Sequence, residues 1–323
     1  MKVNLPLRIF CLLLCCIGAN VVKADTSEAE ALNLLRNMTQ SFSTLSYDGV
    51  FVHSEALNMN SMRIRHDLMA GVEYESLEDL DGDKVEVLRI QDNVISVYPN
   101  ALLTNRRTPL PPMFNRFKNV ESERLLKGYD MIVEPKTSRI AGRDAVSVRL
   151  VPRDNYRYGH QFWLDKDNHF LLKHDMMKTD GQLLERIQFT SVNFDPDLKQ
   201  EDFVPKKDSY SEPVLDAQPR RVKNLWQFDW LPDGFALVWP EARSLDEGTS
   251  MLLLSDGMTS VSVFVEPTMK AKKLSILDMG ATIAGERSIN VNEHLYLLTM
   301  VGEVPEPTIE RLMMAIVPRV DHD

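Results

Sequence analysis

Between positions 31 and 42 the apolar residues Ala31, Leu34, Leu35, Met38 and Phe42 recur at helical spacing, which predicts one amphipathic helix with a face to lay on a sheet. Ser27 and Glu30 form a Ser-x-x-Glu capping box, so this helix is expected to open at Ser27. From Tyr47 onward the period changes from about 3.6 to 2. Alternating runs at 47–53, 62–66, 85–90, 94–98, 145–151, 160–164, 170–176 and 183–192 predict short strands, with turns at Asp81-Gly82, 165–168 and Asp180-Gly181. The pattern is that of an antiparallel meander with one apolar face and one solvated face. Tyr47, Gly49 and Phe51 share a face, as do Val146, Val148 and Leu150, then Phe162 and Leu164, then Ile187 and Phe189.

One stretch interrupts the meander. Residues 104–130 carry Pro109, Pro111 and Pro112, then Met113, Phe114, Phe117, Leu125 and Leu126, which reads as a loop and one or two short helices plugging the curved sheet. Fully covered, the apolar face is a core; loosely covered, it is a pocket for an acyl chain. Phe51, Val148, Leu150, Phe162, Leu164, Phe189, Phe114 and Phe117 are the candidates to line such a cavity.

Residues 205–222 turn polar and irregular, with Pro205, Pro213, Pro219, Arg220 and Arg221, and mark a linker. Beyond it, strand signals at 236–238, 251–254, 259–265 and 295–301, a hairpin at Asp256-Gly257 and a terminal helix near Pro307 predict a smaller domain over 223–323. Ile309, Leu312, Met313 and Ile316 would form that helix's buried face. The fold class is α+β: a large first domain over 25–204 and a small second one.

Charge and cysteine usage narrow the setting. Lys2 and Arg8 precede an apolar run at 9–17, and Val22-Lys23-Ala24 offers small residues for a signal peptidase, so residues 1–24 read as an export leader. The run is about half the roughly 20 residues that a membrane span requires. A lipoprotein signal at Leu12-Leu13-Leu14-Cys15 lacks the small residue expected before the cysteine. All three cysteines, Cys11, Cys15 and Cys16, fall in the leader. The chain from Asp25 therefore has no thiol for a disulfide, a metal or nucleophilic catalysis. It carries 34 Lys and Arg against 47 Asp and Glu, a net charge of −13 that disfavours nucleic acid as a partner.

Catalytic signatures are missing: the sequence has no Gly-x-Ser-x-Gly elbow, phosphate loop, His-Glu-x-x-His or dinucleotide fingerprint. His160 and His174 are placed to face each other across the turn at 165–168, but a zinc site needs a third ligand at defined spacing. The acidic cluster Glu73, Glu75, Glu78, Asp79, Asp81 and Asp83 does not have calcium-loop spacing and reads as a solvated hairpin end. The expectation is a binding protein with no cofactor, not an enzyme.

Several segments, in order over nearly the whole chain, resemble the RseB/MucB family of periplasmic sigma-E regulatory proteins. They are Tyr47-Asp48-Gly49-Val50-Phe51-Val52, Arg139-Ile140-Ala141-Gly142-Arg143, Val151-Pro152-Arg153-Asp154 with Arg157-Tyr158, and Phe162-Trp163-Leu164-Asp165 with Leu171-Leu172. Asp180-Gly181 with Leu184-Glu185 follows, then Trp230-Leu231-Pro232-Asp233-Gly234-Phe235, Ser255-Asp256-Gly257 with Ser262-Val263, and Val301-Gly302-Glu303-Val304-Pro305. The resemblance implies a LolA-like unclosed half-barrel plugged by helices and joined to a smaller α/β domain. It also implies a partner, the periplasmic part of a single-span anti-sigma factor shielded from proteolysis, and release by lipid or lipopolysaccharide; homo-oligomers suit the family. Arg220, Arg221, Trp226, Trp230, Leu231 and Phe235 are the candidates to touch that partner, at an apolar cleft between domains. The insertion 109–128 and the linker are the expected moving parts. The rival is a lipid or lipoprotein carrier of the LolA type, for which the second domain has no use.

Overall fold

The computed structural model describes residues 18–55, 58–81, 85–91, 93–97, 117, 122–204, 220–246 and 248–319. The first domain starts with helix α1 (Gly18–Thr44) and strands β1 (Tyr47–Glu55), β2 (Asn58–Met69), β3 (Val72–Asp79), β4 (Glu86–Ile90) and β5 (Asn93–Val97). After the insertion come α2 (Ser122–Gly128), β6 (Tyr129–Ile140), β7 (Arg143–Pro152), β8 (Gly159–Asp165), β9 (Leu171–Met177) and β10 (Leu183–Asn193). All ten strands form one antiparallel sheet in the order β5-β4-β3-β2-β1-β10-β9-β8-β7-β6.

That sheet is curled and open. β2 and β6 lie six places apart yet both touch α1. In a flat sheet they would be about 29 Å apart at ~4.8 Å per strand, far beyond a helix about 10 Å wide. The sheet therefore wraps around α1, and among the described residues its outer strands β5 and β6 do not pair. Ala31, Leu35, Met38 and Phe42 are the buried face of α1, with Leu34 partly buried beside them, as their spacing predicts. A Cβ on Gly49 would stand 2.6 Å from the Phe189 ring, so the glycine gives that ring its place on Phe51, 5.3 Å away.

The second domain is also antiparallel. Its strands are β11 (Arg220–Val222), β12 (Trp226–Phe228), β13 (Ala236–Leu237), β14 (Ala242–Ser244), β15 (Ser250–Ser255), β16 (Ser260–Pro267), β17 (Ser275–Met279), β18 (Thr282–Val291) and β19 (His294–Gly302). Helix α3 (Glu306–Ala315) and β20 (Ile316–Pro318) close it. The main sheet runs β11-β14-β15-β16-β19-β18-β17, with β13 on β15, while β12 and β20 form a separate two-stranded ribbon. α3 lies against β17, β18 and β19. Its predicted apolar positions Ile309, Leu312 and Met313 are fully buried, and Ile316 is buried just past the helix end.

Four features differ from the sequence expectation. α1 is continuous through Ser27, because nothing between Gly18 and Ser27 breaks a helix. The acidic cluster is largely strand β3, not a hairpin end. Two of its charges are paired with Arg89, whose guanidinium donates to both Glu73 oxygens at 3.0 and 2.6 Å and to Glu75 at 3.0 Å. The expected linker ends sooner, since Arg220, Arg221 and Val222 pair with Ser244, Arg243 and Ala242 as a strand. β6, β17 and β18 also went unpredicted, their polar residues masking the alternation, as did β12, β14 and β20, each only three residues long.

Candidate partner site at the domain junction

Seven of the eight cavity candidates, Phe51, Val148, Leu150, Phe162, Leu164, Phe189 and Phe117, are at most 1% exposed and belong to one packed cluster with α1. The eighth, Phe114, lies outside the described residues. Phe117 is tied down twice: Thr39 donates from Oγ1 to its carbonyl at 2.9 Å, and its ring stacks on Phe42 at 6.4 Å. Among the described residues this face is packed as a core. A cleft of about 470 Å³ lies elsewhere, at the ends of β7, β8 and β9, lined by Leu150, Val151, Pro152, Gly159, Met177 and Lys178 among others.

His160 and His174 do meet, His160 Nδ1 standing 3.1 Å from His174 Nε2. The pair is enclosed by Phe162, Phe117 and Tyr129 rings. No group of three metal-ligating side chains occurs among the described residues.

The partner candidates divide. Trp226 and Phe235 are 5% and 6% exposed and pack in the second core, whereas Arg220 and Arg221 are exposed on strand β11. Trp230 and Leu231 are half-buried. Trp230 is at the junction: its ring is 4.8 Å from Tyr156 of the first domain, and the Arg311 guanidinium lies 3.9 Å over it.

Around that platform the two domains are bonded, not merely tethered. Thr308 donates from Oγ1 to the Tyr156 carbonyl at 2.9 Å, and Tyr158 donates from its hydroxyl to the Val304 carbonyl at 3.1 Å. Tyr158, Met176 and Leu184 enclose Ala281 in a small apolar cluster, and Met258 of the second domain packs into the first core. At the centre Arg157, fully buried, bridges Asp154 of its own domain to Asp256 of the other. Four segments carrying the family resemblance meet here: 157–158, 230–235, 255–257 and 301–305. Sequence reasoning looked for the cleft near Trp230 and quoted Arg157 only among the segments of the family resemblance, without a role at the site.

Burial controls the electrostatics. Tyr129 is pushed far above the ordinary tyrosine value, first by burial and then by the charge of Asp256; Tyr47 is pushed up by burial, then by Glu75 and Glu73. Tyr158 is pushed up to about 12 by burial, with Asp278 and Glu303 adding to it. These three keep their protons in the folded chain at pH values where an unfolded tyrosine, near pH 10, loses its own. Stability is thus full below pH 10 and is lost as pH rises through the raised values. At about pH 11, absorbance at 295 nm should count at most five of the eight tyrosines as ionised, with the rest appearing on unfolding. Ionisation of all eight before unfolding would contradict the buried placement.

An open sheet curled on a helix and docked through a buried polar junction onto a smaller sheet defines a two-domain protein whose halves are held as one. Residues 30–207 match the family model of the MucB/RseB N-terminal domain, and residues 220–317 match that of the MucB/RseB C-terminal domain. The chain belongs to the MucB/RseB family. It is 27% identical to the sigma-E factor regulatory protein RseB of Haemophilus influenzae, over 97% of this chain and 98% of the relative. To the sigma factor AlgU regulatory protein MucB of Pseudomonas aeruginosa it is 28% identical, covering 95% and 96%. The Pseudomonas aeruginosa MucA/MucB complex structure superposes with a TM-score of 0.72, at 26% identity over 90% of this chain and 100% of that one. The crystal structure of MucB gives 0.61, at 26% identity over 90% of this chain and 98% of that one.

Proposed function

We propose that this chain is a periplasmic negative regulator of the envelope stress response: it binds the periplasmic part of a single-span anti-sigma factor, shields it from proteolysis, and lets go when lipid or lipopolysaccharide binds. The observation that carries this reading is the ordered match of both family domains, on a fold that superposes on MucB paired with MucA at a TM-score of 0.72. The leader at 1–24 supplies the route to the periplasm. Trp230, Arg311 and Tyr156 present a ring and cation platform at the junction, and Arg220 and Arg221 extend positive charge along strand β11. Aromatic and arginine anchors of this kind dominate protein interfaces.

Packing supports the lipid arm of this reading. With Phe51, Phe117, Phe162 and Phe189 filling the half-barrel, an acyl chain enters only by displacing side chains such as Phe117. A lipid that favours the displaced state and a partner that favours the packed one weaken each other by the same factor.

The test uses residues 25–323 and the periplasmic segment of the single-span protein encoded beside the organism's sigma factor. Saturable binding and slower proteolysis of that segment are expected, both declining as lipopolysaccharide is titrated in. No binding sinks the regulator reading; binding that ignores lipopolysaccharide sinks the release step.

A further inference from the structure

Arg157 spends its whole fork on the junction. Its Nε and Nη2 donate to Asp154 at 3.1 and 2.8 Å, Nη1 donates to Asp256 Oδ2 at 3.0 Å, and Nη2 also reaches the Asp233 carbonyl at 2.6 Å. The guanidinium lies 5.3 Å from the centres of two rings, Tyr129 of the first domain and Phe235 of the second. Asp256 is equally fixed: its Oδ1 accepts from the Met258 and Thr259 amides at 2.9 Å each, and its Oδ2 accepts from the Tyr129 hydroxyl at 3.3 Å. Room for this is made by glycine. A Cβ on Gly128 would overlap the Arg157 guanidinium, and Gly234, at φ +86, would bring a Cβ within 2.8 Å of the Arg124 carbonyl.

We propose that Arg157 is the positioning residue of the domain junction: it sets the angle at which the two domains dock, and through that angle the grip on the partner, without touching the partner. A buried ion pair adds little net stability over an apolar filling, but its bonds are directional. The rigid guanidinium fork satisfies acceptors from both domains at one relative orientation only. A small rotation would leave a fully buried cation facing no carboxylate of the second domain, so the junction is either docked or open to water, with nothing stable between. The partner arm of this inference rests on the proposed function; the docking arm does not.

The missing thiols make the test direct, because residues 25–323 contain no cysteine. Cysteines at Gln182, exposed in the first domain, and Met269, fully exposed in the second, take spin labels without competition. Pulsed dipolar spectroscopy should give one narrow distance for the parent. Arg157→Met should broaden it while circular dichroism stays unchanged, and Arg157→Lys, keeping the charge without the fork, should fall between. Should Arg157→Met fail to fold, Asp256→Asn, which keeps size and an acceptor oxygen, is read the same way. An unchanged narrow distance in the variant overturns the inference even if the parent binds the anti-sigma segment. Broadening with affinity for that segment reduced about tenfold supports both arms; broadening with unchanged affinity overturns the coupling. A parent that never binds the segment, beside a variant that broadens, removes the regulator reading and leaves the positioning role.

Discussion

Phe170→Ala is expected to lower the stability of the first domain by about 3–5 kcal/mol, the usual range for emptying a buried phenylalanine site. Phe170 is fully buried, and its ring is 5.1 Å from Phe42 on α1, 4.7 Å from Tyr47 on β1, 5.2 Å from Phe189 on β10 and 5.2 Å from Phe194. It thereby joins the helix to the middle of the curled sheet, where no single neighbour can move in without losing another contact. Tertiary amide protection, followed by hydrogen exchange in denaturant, should fall across α1, β1 and β10 while α3 and β18 keep theirs. A loss below about 1 kcal/mol would mean that the site collapses readily and that the aromatic cluster does not hold the helix to the sheet.

Gly285→Leu should be the most damaging single change in the second domain. A Cβ at Gly285 would lie 2.5 Å from Ile309, 3.0 Å from Ile276 and 3.4 Å from Met313, so α3 sits directly on the bare backbone of β18. Overpacking of a close-packed contact costs about 1–3 kcal/mol for added methylenes, and leucine adds far more volume than the gap holds. The expected result is a second domain that binds a hydrophobic dye and melts early, with Gly285→Ala intermediate. A variant whose melting matched the parent's would show that α3 tolerates a rigid shift.

The helical spacing of Ala31, Leu35, Met38 and Phe42, and the alternation of Phe162 with Leu164 and of Ile187 with Phe189, were legible because each faces one core and the period survives in the text. β3 was not. Glu73, Glu75 and Glu78 put carboxylates on both faces, and only the folded register shows that Arg89 and Arg65 neutralise them. β6 and β18 hide for a related reason, since edges and half-covered faces admit polar residues that erase the alternation. For the site, Trp230 and the Asp256-Gly257 turn could be read locally, and they do lie at the junction. Arg157 could not, because its role depends on Asp256, 99 positions later in the chain. Whether the half-barrel is a core or a cavity was likewise undecidable from alternation, which the two share; the packing of Phe117 against Phe42 and Phe162 answers it for the described residues.

The ribbon of β12 and β20 pairs Trp226 with Pro318 and Phe228 with Ile316, so the second domain is entered and left at the same spot. That clasp makes the domain a closed loop whose ends can be rejoined. A circular permutant opened at the exposed Met269 tip, with residues 225 and 319 bridged by a short linker, keeps every strand pairing of the main sheet except that of β11 with β14. It also means that a processive protease feeding from the C-terminal side meets the three residue pairs of the clasp before it reaches α3.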